Sequence, residues 1–169
     1  MTRIGSENAP PSLPAGEERG EGTSRAIVLE KLLGAQRSLR ERFDDFRRAL
    51  DRRDVEAYRL GLTDFHTCLR RWTEAEEKAL LPAVLRAGIA GRDPQRELLL
   101  EWVQLRELTR YLLSQINDRA PIGDIVGFAE NLERRLAAHE SEAQNVYYPS
   151  AAGVLTPDEW RILVCAAPE

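Results

Sequence analysis

The chain has 169 residues, of which 43% are hydrophobic and 31% charged, and this is enough to build one domain with a full core. Its 24 basic and 28 acidic side chains give a formal net charge of -4, and this mixed balance offers no electrostatic reason to bind nucleic acid or an anionic membrane. The apolar runs are too short to span a bilayer, and no signal-peptide pattern opens the chain. Two cysteines, Cys68 and Cys165, are too few for a disulfide scaffold, so we expect a cytoplasmic protein.

The first 23 residues differ in composition from the rest of the chain. They contain three prolines, four glycines and four glutamates, with hardly any large apolar side chain. Such a segment cannot bury enough surface to offset the conformational entropy of folding, which is about 1–2 kcal/mol per residue. We therefore predict a disordered tail at residues 1–23 and a single folded domain at residues 24–169.

The domain is predicted to be all-α. Apolar residues recur at steps of three and four along four seams, which is the spacing of one helix face, and no alternating strand pattern competes. Asp93-Pro94 has the form of a helix start, and Thr156 with Glu159 has the spacing of a capping box that opens a short terminal helix. The four seams run from Leu29 to Leu50, from Tyr58 to Leu80, from Leu98 to Ile116 and from Ile125 to Val146.

Short connections between these helices predict an up-down-up-down antiparallel four-helix bundle. An internal repeat supports this arrangement, because the first two helices align with the last two at an offset of 66 or 67 residues. The alignment places Pro82 on Pro149. Because proline lacks an N–H and clashes with the preceding turn, each should kink or end its helix at the same height of the bundle.

The middle of each seam carries residues that are unusual for a bundle core. Leucine is the normal choice at such positions, but six of them hold other side chains: Gln36, Trp72, Glu76, Trp102, His139 and Ala143.

The segments around these positions resemble the hemerythrin-like (HHE cation-binding) domains. In that family a histidine is followed four residues later by glutamate and then by two apolar residues and proline, and WTEAEEKALLP and HESEAQNVYYP match this spacing. The segments LLGAQRSLRERF and LLLEWVQLRELTRYLL resemble the family's first and third helices, and VLTPDEW resembles its short terminal helix. The resemblance covers about residues 24–166 and depends on spacing more than on identity.

The resemblance implies a non-haem di-iron centre inside the bundle, used to bind oxygen or to sense iron and oxygen, but most of its ligands are missing here. Glu76 and His139 match a carboxylate and a histidine of the family's site. The other four positions depart from the pattern: Gln36, Trp72 and Trp102 replace histidines, and Ala143 replaces a carboxylate. The chain contains only two histidines, and indole offers no lone pair to a metal.

We therefore expect no cofactor and a core filled with side chains where relatives hold metal. Glu76 on a core seam needs partners, because an unpaired buried carboxylate costs several kcal/mol. We predict a buried polar cluster of Glu76, His139, Gln36 and Arg106, with Trp72 and Trp102 as its walls.

Alternative interpretations remain for several of these residues. Glu76 lies in a run of glutamates that is also typical of a solvated helix face. His139 also fits a hydrogen-bonded core histidine, and Trp72 and Trp102 also fit simple packing. His66 is interpreted as a boundary residue, and the pair Tyr147-Tyr148 as packing residues whose hydroxyls reach the surface.

The leading functional interpretation is a non-enzymatic module that binds a protein or a small molecule or has a regulatory role, as a monomer or homodimer. No arrangement typical of an enzyme active site is found. The alternative is a weak mononuclear site for iron, zinc or manganese, built from Glu76, Glu77, His139, Glu140 and Glu142.

Overall fold

A computed structural model describes residues 21–168 of the chain, with side chains from residue 25 onward. Over this range the protein is all-helical and contains no strand, which confirms the predicted all-α class. Two five-residue π-helical turns, Glu76–Leu80 and Ala143–Tyr147, interrupt the α-helices. The helices are α1 (Glu21–Asp51), α2 (Val55–Ala75), α3 (Leu81–Ala87), α4 (Pro94–Asn117), α5 (Ile122–Glu142), α6 (Tyr148–Ala151) and α7 (Pro157–Ala166).

Helix α1 begins at Glu21, three residues before the predicted start of the domain at Ser24. The predicted tail boundary at Thr23 is therefore wrong, because an established helix adds further residues at little cost. The rest of the predicted tail, residues 1–20, lies outside the described residues. No helix in the described range has both the length and the apolar character needed to cross a bilayer.

Side-chain caps fix the starts of three helices. Asp54 accepts a hydrogen bond of 3.1 Å from a backbone N–H in the first turn of α2, and Asp93 accepts one of 3.2 Å at the start of α4. Thr156 and Glu159 form the predicted capping box of α7, with reciprocal hydrogen bonds of 3.3 and 2.9 Å. These caps satisfy N–H groups that have no partner within the helix.

Helices α1 and α2 pack closely and run antiparallel. The rings of Phe43 and Phe65 meet edge to face at a centroid distance of 5.2 Å. One turn further along α1, Phe46 faces Gly61, where an added Cβ would lie only 3.2 Å from the Cα of Phe46. The contact that lies later in α1 lies earlier in α2, so the two helices run in opposite directions.

The same reasoning gives the directions of the other long helices. Tyr111 of α4 packs on Phe128 of α5 at 4.8 Å, while Glu101 of α4 contacts His139 of α5 at 2.9 Å, so α4 and α5 are antiparallel. Arg40 and Arg47 of α1 pair with Glu140 and Glu133 of α5, so these two helices are antiparallel as well.

The predicted seams form most of the core. Each position of the second and third seams is buried, but Leu29, Phe128 and Val146 are only partly buried. The departure at Val146 has a local cause, because a π-helical turn contains extra backbone and shifts the phase of the helix face. Tyr147 and Tyr148 are consequently both fully buried.

The two π-helical turns give the internal repeat a counterpart in the backbone. Glu76 and Ala143 begin the two turns and stand 67 residues apart, the same offset that relates Pro82 to Pro149. Each proline lies two residues after its π-helical turn. Proline cannot donate to the carbonyl four residues earlier and clashes with it, and a locally wider helix relieves this conflict. The predicted kink or end therefore takes the form of a π-helical turn before each proline.

Candidate functional site

A fully buried carboxylate lies where the first π-helical turn begins. Glu76 has no exposed surface, and each of its oxygens accepts a hydrogen bond from an aromatic side chain. The indole nitrogen of Trp102 in α4 donates to Oε2 over 2.8 Å, and the hydroxyl of Tyr148 in α6 donates to Oε1 over 2.8 Å. The alternative of a solvated Glu76 is therefore wrong.

His139 lies between this carboxylate and a second one. Its Nε2 is 3.5 Å from Oε2 of Glu76, and its Nδ1 is 2.9 Å from Oε2 of Glu101. His139 is only 4% exposed, whereas the side chain of Glu101 is 31% exposed. The chain of groups Glu76–His139–Glu101 thus leads from the core to the surface.

The two carboxylates control the charge of His139. Burial by itself would lower the pKa of the imidazole, but the hydrogen bonds to Glu101 and Glu76 and the charges of both raise this pKa to about 10. At neutral pH the ring is therefore a cation that donates from both nitrogens. It supplies the positive charge that compensates the buried carboxylate of Glu76.

Tyr148 remains a hydrogen-bond donor over the whole working range of pH. Burial raises the pKa of its hydroxyl well above the usual value, and the charge and hydrogen bond of Glu76 raise it further, while a hydrogen bond involving Trp72 acts in the opposite direction. The prediction that the Tyr148 hydroxyl reaches the surface is wrong. The side chain is fully buried because the second π-helical turn rotates it into the core.

Two of the remaining seam positions, Trp72 and Ala143, provide walls rather than polar contacts to Glu76. Trp72 is 2% exposed and Ala143 is fully buried. Ala143 stands at the repeat position equivalent to Glu76, so the cluster contains one core carboxylate rather than two.

Gln36 is buried but belongs to a different group of contacts. Its side-chain nitrogen donates to the Glu140 carbonyl over 3.3 Å, and its oxygen accepts from Gln144 over 2.9 Å. The prediction that Gln36 joins Glu76 is wrong, because its amide is satisfied on α5 and at the second π-helical turn.

Arg106 also lies outside the predicted cluster. Its guanidinium is 3.6 Å from Glu77, and both side chains are partly exposed. A long arginine side chain can reach water with its charged end and avoids the cost of desolvation. The prediction that Arg106 compensates Glu76 is wrong, and the His139 imidazolium performs this role.

The carboxylates of the alternative metal site are held by arginines. Glu77 pairs with Arg106, Glu140 forms a two-point pair with Arg40, and Glu142 lies 2.7 Å from Arg92. Within the described part of the chain, no three or more His, Cys, Asp or Glu side chains are grouped so that they could hold a metal ion. The predicted set Glu76, Glu77, His139, Glu140 and Glu142 is therefore not brought together.

The side chains present do not fit the di-iron centre that the resemblance implies. Both oxygens of Glu76 already accept hydrogen bonds, and both nitrogens of His139 face carboxylates. Trp72 and Trp102 are donor-only groups that occupy two of the expected histidine positions. No step of metal chemistry can be derived from this set of donors.

A second polar network at the surface was not predicted. Arg92, in the loop between α3 and α4, lies 2.8 Å from Glu97 and 2.7 Å from Glu142 through its side-chain nitrogens. It also donates to the Tyr147 hydroxyl over 3.2 Å, and this hydroxyl in turn donates to Glu97 over 2.9 Å. Tyr147 is fully buried, so its hydroxyl is covered by this network rather than exposed as predicted. The loop is thereby attached to the second π-helical turn.

His66 is partly buried in α2, as predicted for a boundary residue. Burial lowers the pKa of its imidazole, and the charge of Arg70 lowers it further. His66 is therefore neutral at physiological pH and takes no part in the cluster around Glu76.

Sequence reasoning missed Glu101 altogether, and it treated Tyr148 as a packing residue without predicting its hydrogen bond to Glu76. Both stand next to residues that were singled out, since Glu101 directly precedes Trp102 and Tyr148 directly precedes Pro149. Glu101 could have been found from the sequence, because a buried histidine needs a hydrogen-bond partner for each of its two nitrogens.

No protein-family model, curated protein or solved structure matches the chain significantly.

Proposed function

We propose that the chain is a hemerythrin-like domain whose di-iron centre has been replaced by side chains, and that it acts as a non-enzymatic module for interaction, regulation or small-ligand binding. In this proposal α1, α2, α4 and α5 form an up-down-up-down four-helix bundle. Three antiparallel helix pairs and the repeated π-helical turns support that arrangement.

One observation carries the proposal: Glu76, at a position that the resemblance assigns to a metal ligand, instead contacts Trp102, Tyr148 and His139. The imidazolium supplies one positive charge to the buried carboxylate, and the two aromatic donors supply hydrogen bonds. Together they perform the charge compensation that metal ions perform in the family. A partly satisfied site would be costly, whereas this one leaves neither oxygen of Glu76 without a donor.

The same contacts support a non-enzymatic role. General acid–base or nucleophilic catalysis requires a group that can reach a substrate and change its protonation state near neutral pH. His139 is buried with a pKa far from neutrality, and the Glu76 oxygens are covered by indole and phenol groups.

Metal analysis of untagged protein, purified without a chelator, tests the proposal. We expect iron, zinc and manganese well below one ion per chain and no charge-transfer absorption in the near ultraviolet. A stoichiometric metal that is lost in His139→Ala and retained in the control His66→Ala would instead support the weak mononuclear site. A bridged pair of iron ions would contradict both.

A further inference from the structure

The outward face of α4 carries two neighbouring apolar side chains. Leu100 is 54% exposed and Val103 is 47% exposed, and their spacing of three residues places them side by side on one helix face. The opposite face of α4 packs in the core at Leu98, Trp102 and Leu105. A single exposed hydrophobic side chain is normal on a protein surface, but an apolar patch bordered by polar residues is typical of an interaction site.

The exposed positions around this patch follow a heptad repeat. Six exposed residues recur at alternating steps of three and four along one face of α4, which is the spacing of a coiled-coil seam. An acidic and a basic side chain lie on each side of the two apolar ones, in the order Asp93, Arg96, Leu100, Val103, Glu107 and Arg110. This order determines which partner fits the face.

A second copy of α4 fits this face when it runs antiparallel to the first. A twofold axis midway between Leu100 and Val103 places Leu100 of each copy against Val103 of the other. The same axis places Arg96 of each copy opposite Glu107 of the other. One register therefore pairs the apolar side chains with each other and these charges with their opposites.

A parallel arrangement of the two helices would not have this complementarity. In a parallel pair each residue meets its own counterpart, so that Arg96 would face Arg96 and Glu107 would face Glu107. Like charges placed opposite each other in an interface oppose association. The order of charges along α4 therefore selects the antiparallel direction.

The charged groups of this face can still bind a partner. The Arg96 side chain forms no ion pair with another described residue, and Arg110 pairs with Glu107 of its own helix, where both side chains are more than half exposed. Asp93, which lies opposite Arg110 in the same register, caps α4 through one carboxylate oxygen. Its other oxygen is available to Arg110 of the second copy.

From these features we propose that the chain forms a homodimer in which α4 packs antiparallel on α4 of a second copy. Leu100 and Val103 form the apolar centre of the interface, and the charged pairs on either side set its direction and register. This inference rests on the interaction role in the proposed function and names the partner. Because the apolar centre is small, the dimer is weak and dissociates on dilution.

Sedimentation velocity of the full chain, at concentrations from about 5 µM to about 500 µM, measures the expected weak association. We expect a reversible change from monomer to dimer over this range. Leu100→Glu should raise the dimer Kd about tenfold or more, because it places a charge in the apolar centre. Leu60→Glu is the matched control, since Leu60 is a helical leucine of α2 that is 58% exposed, and it should leave the Kd unchanged.

Two charge reversals test the direction and register. Arg96→Glu and Glu107→Arg each place like charges opposite each other, so each variant alone should dimerise about tenfold more weakly or worse. An equimolar mixture of the two should associate again, because the antiparallel register then pairs opposite charges at both positions.

A chain that stays monomeric over the whole range would overturn the proposal. So would an unchanged Kd in folded Leu100→Glu, or a mixture of Arg96→Glu and Glu107→Arg that associates no better than each variant alone. Circular dichroism checks that each variant is folded. Metal content measured on the same samples reports separately on the proposed function, because the outer face of α4 does not depend on what fills the core.

Discussion

The indole nitrogen of Trp102 donates a 2.8 Å hydrogen bond to Oε2 of Glu76, and both side chains are fully buried. The contact joins α4 to the first π-helical turn. A residue type that can only donate therefore stands beside a carboxylate that, under the proposed hemerythrin-like assignment, would be a metal ligand. The stability of the core should therefore depend on the hydrogen bonds that Glu76 accepts and on its contact with His139.

Removing the charge of Glu76 should be strongly destabilising. In Glu76→Gln, the His139 cation loses its buried partner, and the amide group turns an N–H₂ toward the donor of Trp102 or Tyr148. We expect a loss of about 1–3 kcal/mol in the free energy of unfolding, measured by urea denaturation, because a buried donor is left without an acceptor while His139 keeps its contact with Glu101.

Glu74→Gln serves as the control for this change. The side chain of Glu74 is 48% exposed and lies 3.9 Å from Arg70, so its removal should alter stability by less than about 0.5 kcal/mol. Equal losses in the two variants would contradict the assigned role of Glu76.

The Tyr148 hydroxyl should contribute more than an exposed tyrosine hydroxyl does. Tyr148→Phe keeps the ring but removes the donor to Oε1 of Glu76, and a hydrogen bond to a charged group contributes about 1.5–3 kcal/mol. Tyr111→Phe is a matched control, because Tyr111 is 46% exposed and should be nearly neutral. Thermal and urea unfolding of both variants would measure the difference, and similar values would be inconsistent with the buried bond.

Stability should fall as the pH rises from about 6.5 to about 10. Burial by itself lowers the pKa of His139. The hydrogen bonds to Glu101 and Glu76 and the charges of both outweigh this effect, and they raise the pKa to about 10 in the folded protein. In the unfolded chain a histidine has a pKa near 6.5. Between these values the folded state binds the extra proton, so the contribution is complete below pH 6.5 and is lost through pH 10.

The largest slope expected from this one group is about 1.4 kcal/mol per pH unit. Urea unfolding at pH 6.5, 8 and 9.5 would measure it, and His139→Gln should remove most of the slope while lowering the stability at pH 6.5. A slope that is the same in His139→Gln and in the unchanged chain would show that another group is responsible.

Two helical glycines should respond in opposite ways to alanine. At Gly61 a new Cβ would lie 3.2 Å from the Cα of Phe46, so α1 and α2 must separate slightly. We expect Gly61→Ala to be less stable by about 1 kcal/mol, because overpacking exceeds the gain in helix propensity. Gly127→Ala faces open space and should be more stable by about 0.5–1 kcal/mol. The midpoints of urea unfolding of the two variants measure this difference. A midpoint for Gly61→Ala that is as high as that for Gly127→Ala would contradict the close contact of α1 and α2 at Gly61.

The helices and the burial of Glu76 were accessible from the sequence, because both depend on the spacing of residues along one helix. The partners of Glu76 and His139 were less accessible, because they depend on how neighbouring helices are rotated. The second π-helical turn shifts the helix phase and buries Tyr148, which a regular α-helical period cannot predict. Arg106 was placed wrongly because its sequence position defines a helix face but not the direction in which a long side chain extends.

Reconstitution with iron of a variant that carries the four ligands required by the proposed hemerythrin-like assignment tests the central claim most directly. The variant combines Gln36→His, Trp72→His, Trp102→His and Ala143→Glu, and its helicity is checked by circular dichroism. After anaerobic addition of Fe²⁺ and exposure to air, we predict two iron ions per chain with an oxo-bridged absorption spectrum in the variant and no bound iron in the unchanged chain. Two bridged iron ions in the unchanged chain, or none in the folded variant, would contradict the account.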